Sequence, residues 1–140
     1  MARVFLGLGS NVGNRAQYLS EARKAIQEEV GEIEAASSIY ESEAVGFEGN
    51  PFYNQVIKIK TMLNPENLLI KTQEIEKMIG RTEKTVFQNN KPIYKNRVID
   101  IDILLYDDLQ INTKTLTIPH SGMWEREFVM KPLNEMRKSK

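Results

Sequence analysis

Three patterns in the chain predict an α+β fold with a largely antiparallel sheet and two helices packed on one face. Four short segments have the alternating or densely apolar character of strands and end in turn residues. Two longer segments carry apolar residues at helical spacing. Their order is β-α-β-β-α-β, followed by an extended ribbon and short helical pieces. The 140 residues suit one domain spanning 1–140.

The first strand is predicted over roughly residues 2 to 9, ending in Gly7, Gly9 and Gly13, with Ser10, Asn11 and Asn14 as turn or capping residues. Leu19, Ala22, Ile26 and Val30 then mark a helix over 14–30, with Gly31 as its stop. Ile33, Ala35, Ser37 and Ile39 alternate as a second strand ending near Tyr40, and ESEAVGFEGNPF is a loop. NQVIKIKTML is the third strand, with Ile57, Ile59 and Thr61 on one face and Lys58, Lys60 and Met62 on a wetter one. Asn64 caps the second helix and Pro65 opens it. Leu68, Thr72, Ile75 and Ile79 form its buried stripe, and Gly80 ends it. A long polar loop covers 81–96 and the fourth strand 97–106. DDLQINTKTLTIPH reads as a β-ribbon, and GMWEREFVMKPLNEM has short helical character until Pro132. This order is the ferredoxin-like plan, whose second sheet face is free to carry a site. Many unrelated functions use that plan, so the site must decide.

Composition narrows the classes. Nineteen basic and nineteen acidic side chains cancel, which disfavours nucleic acid or a membrane surface as the main partner. No run of about 18 apolar residues is present, and MARVFLGLGSN is too short and Gly-rich for a signal peptide. The absence of cysteine excludes a disulfide or thiolate site. A cytoplasmic protein is the expectation, working as a monomer without nucleic acid or membrane.

RVIDIDILLYDD carries the chemistry. Asp100 and Asp102 interrupt an apolar strand, and residues two apart share a face. Adjacent carboxylates repel unless a cation sits between them, and a hard divalent ion such as Mg²⁺ fits two carboxylates and phosphate oxygens. The alternative is a solvated strand face. The preceding loop carries Arg81, Lys84, Lys91, Lys95 and Arg97 against Glu83, a charge balance suited to polyphosphate and a length suited to a lid. The lysines are equally explained as ordinary solvated residues. GLGSNVGNR lacks the Gly-Lys-Ser/Thr of a P-loop and reads as a strand-to-helix turn. His120 is either structural or a phosphate contact. Phe52 and Phe128 fit a core, and Asn54 fits a turn.

The segments LGLGSNVGNR, SSIYESEAVGFEGNPFYNQV, IEKMIGR, NRVIDIDILLYDD and LTIPHSGMWEREFVMKPLNEM, in that order and over nearly the whole chain, resemble the 6-hydroxymethyl-7,8-dihydropterin pyrophosphokinase family of folate biosynthesis. The resemblance implies transfer of the β,γ-pyrophosphoryl group of ATP to the pterin hydroxymethyl oxygen, leaving AMP. It implies that Asp100 and Asp102 bind two Mg²⁺ ions, with Arg81 and Arg97 acting beside them in catalysis. Phe52 and Phe128 would stack on the pterin, with Asn54 and groups around Ser42 and Val45 at its polar edge. Gln73, Glu76, Arg81, Arg97, Thr117, His120 and Arg126 would line the ATP site. The chain departs from well-known members at Tyr94, where they carry a tryptophan, and at Ser121, where some carry a tyrosine. Two rival readings stand: a generic Mg²⁺-dependent phosphotransferase without the pterin pair, and a non-catalytic ferredoxin-like binding module.

Overall fold

The strand β1 (Ala2–Ser10) organises the chain, and the other elements are best placed relative to it. In the computed structural model, which describes residues 1–42, 51–80, 87–88, 91–92 and 98–138, there follow α1 (Arg15–Glu29), β2 (Gly31–Ala36), β3 (Tyr40–Ser42), β4 (Phe52–Thr61) and α2 (Pro65–Gly80). Then come β5 (Phe87–Gln88), β6 (Lys91–Pro92), β7 (Asp100–Tyr106), β8 (Ile111–Asn112), β9 (Thr117–Ile118), a 3-10 turn (Met123–Glu125) and α3 (Glu127–Lys138). The main sheet runs β2-β4-β1-β7, with β3 beside β4 on the same edge as β2, and every pairing is antiparallel. Two small antiparallel ribbons, β5-β6 and β8-β9, form sheets of their own, and the second packs Leu116 and Ile118 into the main core.

Alternation along the strands separates two faces. Val4, Leu6 and Leu8 of β1, Ile57 and Ile59 of β4, and Ile101 and Ile103 of β7 form one buried face. Onto it α1 packs Leu19, Ala22 and Ile26, and α2 packs Leu68, Ile75 and Ile79. Both helices start on asparagine caps: Asn14 Oδ1 accepts from Gln17 N at 3.1 Å, and Asn64 Oδ1 from Asn67 N at 2.8 Å.

The opposite face is not left free as expected. Helix α3 runs through Pro132 to Lys138 and covers part of it. Val129 and Leu133, with Met136, recur at i, i+4 and i+7 and pack with Met123 over Val56 and Leu104. This apolar stripe outweighs the one backbone hydrogen bond that Pro132 cannot make.

Other expectations shift for local reasons. Gly7 and Gly9 lie inside β1 and not in the turn, where Gly13 alone takes a positive φ of 58°. Gly31 opens β2 instead of merely ending α1: a Cβ there would collide with the Lys60 carbonyl of β4. The expected second strand is broken into β2 and β3, because Ser37 turns its hydroxyl to accept from Val56 N at 3.0 Å. The polar loop holds the β5-β6 ribbon, and its remaining residues, with Arg81 and Arg97, lie outside those described. A lid role for it is therefore outside them too.

Leu133→Ala should lower unfolding stability by about 2–5 kcal/mol, since the side chain is fully buried between α3 and the sheet. Urea unfolding checks this: the midpoint falls with an unchanged slope, while Met62→Ala, at an exposed position, leaves both near wild type.

Candidate active site

The uncovered part of the second face is a cavity of about 520 Å³. Its floor is β1. Gly7 and Gly9 point toward it, and in the antiparallel register they stand opposite Asp102 and Asp100 of β7. On the other side of β1, Gly9 stands opposite Asn54 of β4. The missing side chains leave the opening: a methyl at Gly9 would sit 3.5 Å from Asn54 Oδ1 and 3.6 Å from Phe52 Cδ1. The walls are Ser42 of β3, Phe52 and Asn54 of β4, and the stretch Glu125–Val129 with Arg126 and Phe128.

Each wall is fixed by polar contacts. Asn54 Nδ2 donates to the Tyr40 carbonyl at 3.0 Å and to Ser42 Oγ at 2.8 Å. Two acceptors on one nitrogen fix the amide orientation and direct Oδ1 to the floor. Arg15 Nη1 donates to the Pro51 carbonyl at 2.6 Å, and its guanidinium lies 4.0 Å over the Tyr53 ring, which anchors the start of β4. The Arg126 guanidinium sits 5.8 Å from the centre of the Phe128 ring and against Gly122, where a Cβ would press on it at 3.3 Å.

The aspartates meet two further predicted residues. Glu76 reaches from α2 to the outer edge of β7 and accepts from Ile101 N at 2.8 Å. Its carboxyl is pushed up to about 7, first by burial and then by the charges of Asp100 and Asp102. His120 Nε2 lies 3.9 Å from Asp102 Oδ1, too far for a hydrogen bond. Its pKa is lowered by burial and by Arg126, so the ring is neutral at pH 7. Gly122 N donates to Nδ1 at 3.2 Å, which puts the ring proton on Nε2, facing Asp102.

Seven predicted residues thus line one cavity: Ser42, Phe52, Asn54, Asp100, Asp102, Arg126 and Phe128. Glu76 and His120 approach the aspartates from outside its lining. Gln73 is exposed on α2 and Thr117 lies on the ribbon strand β9, neither lining it. Val45, Arg81 and Arg97 fall outside the described residues. The sequence reading missed Gly7, Gly9 and Gly122. For the first two a signal existed, the same two-residue spacing that singled out the aspartates.

Among the described residues no group of three or more His, Cys, Asp or Glu forms a metal cage. The chemistry of the donor set still fits a hard cation. Two carboxylates face an open cavity, Asp102 with a third of its side chain exposed, and a nearby Glu76 retains its proton to about 7, chiefly through burial and further through the charges of the two aspartates.

Comparison with known proteins shows the family. The family described as 7,8-dihydro-6-hydroxymethylpterin-pyrophosphokinase (HPPK) matches residues 5–138. A 2-amino-4-hydroxy-6-hydroxymethyldihydropteridine pyrophosphokinase of Aquifex aeolicus is 48% identical over 97% of this chain and 81% of its own. One of the same name from Porphyromonas gingivalis is 42% identical over 97% of this chain and 91% of its own. A crystal structure of Plasmodium falciparum HPPK-DHPS with pteroate aligns over 95% of this chain with a TM-score of 0.72. It is 18% identical and 39% covered, and shares the fold. By its sequence over nearly its full length, this chain belongs to the 7,8-dihydro-6-hydroxymethylpterin-pyrophosphokinase family.

Proposed function

We propose that the chain, as one domain over 1–140, transfers the β,γ-pyrophosphoryl group of ATP to the hydroxymethyl oxygen of 6-hydroxymethyl-7,8-dihydropterin, giving the pterin diphosphate and AMP. The observation that carries this reading is a single cavity in which a carboxylate pair and an aromatic–amide set suited to a flat heterocycle face each other across two glycines. The strand order β2-β4-β1-β7, counting β2 with β3 as one edge, supports a ferredoxin-like core. The protein is taken to act as a cytoplasmic monomer. Among the described residues no helix is long and apolar enough to cross a membrane.

In this reading Phe52 and Phe128 take the two faces of the pterin ring by stacking. Asn54 Oδ1, held toward the floor, accepts from ring N–H groups, and the Ser42 hydroxyl and groups near Val45 complete the edge. Asp100 and Asp102 would hold two Mg²⁺, which when bound neutralise and align the triphosphate. Arg126, with Arg81 and Arg97, supplies forked donors to phosphate oxygens. His120 presents its Nε2 proton on the same side. Gln73, Glu76 and Thr117 would contact the nucleotide farther from the reacting atoms. The hydroxymethyl oxygen bonds to the β-phosphorus as the bond from that phosphorus to the α–β bridging oxygen breaks, so AMP leaves with the bridging oxygen and the hydroxyl proton passes to solvent. Transfer of this kind asks mainly for alignment and charge stabilisation. No side chain is assigned as a strong general base.

Incubation with ATP, Mg²⁺ and the pterin should yield AMP only when the pterin is present, read by separating the nucleotides. ADP as product would overturn the reading. Asp100→Ala or Asp102→Ala should cut the rate about a hundredfold or more while the circular dichroism spectrum is kept. Phe128→Ala should raise the pterin KM far more than the ATP KM.

A second expectation concerns charge. Because the folded pKa of Glu76 lies above the ordinary value of 4.5, the protonated form favours folding. That contribution is fully present below about pH 4.5 and is lost as pH rises through about 7. In chelator, melting temperature should therefore fall between pH 5 and pH 8, and Glu76→Gln should flatten the fall.

A further inference from the structure

Helix α3 presents Phe128 to the cavity near its start, and Glu135 comes seven residues later. Seven residues are nearly two full turns, so both lie on one side of the helix. That side meets β4 and β3. There the Glu135 carboxylate gathers three donors: Ser38 N at 2.7 Å on Oε2, and Ser38 Oγ at 2.9 Å and Tyr40 Oη at 3.0 Å on Oε1.

These donors sit where the sheet edge is interrupted. Up to Ser37 the edge is held by β4, through Ser37 N to the Val56 carbonyl at 2.8 Å and Gln55 Nε2 to the Ser37 carbonyl at 2.7 Å. Past it, β3 pairs with β4 over only three residues, Tyr40 with Asn54, Glu41 with Tyr53 and Ser42 with Phe52. So short a strand is weakly held by its own ladder. Yet the Tyr40 carbonyl and Ser42 Oγ are the groups that orient the Asn54 amide. The segment that aims Asn54 is thus itself tied down from α3, the element that carries Phe128.

We propose that Glu135 is a positioning residue for the pterin: by binding Ser38 and Tyr40 it fixes β3 against α3, and so sets the Asn54 amide relative to the Phe128 ring. This rests on the pterin reading of the cavity. A carboxylate takes the backbone N–H and both hydroxyls as charge-assisted hydrogen bonds, whereas a glutamine keeps the backbone N–H on its oxygen but meets the hydroxyls with a neutral NH2, which makes them accept. The Ser38 hydrogen bonds also hold the Glu135 pKa below the ordinary carboxylate value, which keeps the group ionised at neutral pH.

The test compares wild type, Glu135→Gln, Tyr40→Phe and a core control, Ile26→Val, under α1 and remote from the carboxylate. Affinity for 6-hydroxymethyl-7,8-dihydropterin is read from its fluorescence with Mg²⁺ and an ATP analogue present. KM for each substrate is read separately. Glu135→Gln should weaken pterin binding about tenfold, the scale of a lost charged hydrogen bond. The ATP KM and kcat should stay near wild type. Tyr40→Phe should shift the same constant in the same direction by less, and Ile26→Val should lower the melting temperature without moving it. Unchanged pterin affinity in Glu135→Gln, or pterin and ATP constants that worsen together, overturns the assignment while leaving the pterin reading intact. A wild-type protein that binds no pterin overturns both.

Discussion

The register of β1 between β4 and β7 is the constraint on which the site depends. It sets Gly9 between Asn54 and Asp100, and Gly7 between Val56 and Asp102. Side chains alternate with a period of two, so a slip by one residue would exchange the faces. Asp100 and Asp102 would then turn under the helices, and Ile101 and Ile103 would fill the cavity. The slip is prevented by the buried set on the far face, Val4, Leu6 and Leu8 with Ile57 and Ile59, each nearly or fully removed from water. Each such side chain is worth about 1.5–3 kcal/mol of burial. The core therefore specifies the chemistry indirectly, by deciding which way two carboxylates point. A shift in register between Phe5 and Leu6 lets β7 accommodate Leu104 under α3 and still return Tyr106 to the main core.

The same strand carries an electrostatic cost. β7 is the sheet edge, and Glu76 covers one of its open N–H groups at Ile101. That places a third carboxyl beside two aspartates, and burial first, with repulsion from the aspartates added to it, lets Glu76 keep its proton to about 7. An arrangement made for stability alone would put a lysine or an amide there. His120 does not relieve the charge, since burial and Arg126 keep it neutral. Asp100 and Asp102 line the cavity together with Arg126. On the proposed function such a set would take up a cation and the anionic phosphates it carries.

Much of this was legible in the sequence because it follows from short-range period and spacing. The α+β class with its antiparallel sheet, the two caps at Asn14 and Asn64, the buried stripes of α1 and α2, and the shared face of Asp100 and Asp102 are all local patterns. What escaped depends on contacts between distant segments. Pro132 looked like a stop because its local effect is unfavourable, but Leu133 finds Val56 and Leu104 across the sheet. Gly7 and Gly9 looked like turn residues because glycine most often serves there. Only the pairing with β7 reveals them as the floor between the acids and the amide. Glu135 gave no signal at all, since its partners lie 95 and 97 residues away.

The geometry also divides labour in a way that suits two-substrate transfer. Among the described residues that line the cavity, those assigned to the pterin sit on β3, β4 and α3, and those assigned to metal or phosphate sit on β7 and the turn before α3. Between the two sets stands one strand. Crossing from β4 over β1 to β7 takes two inter-strand spacings, about 9–10 Å. That distance is fixed by backbone hydrogen bonds and cannot drift with side-chain rotamers. In a transfer limited by alignment, a misplacement of about 1 Å can cost a hundredfold in rate. On the proposed function a bare glycine strand would be more than an open floor: it would set the separation of the two substrates, and a side chain at Gly9 would act on that separation before it acted on the chemistry.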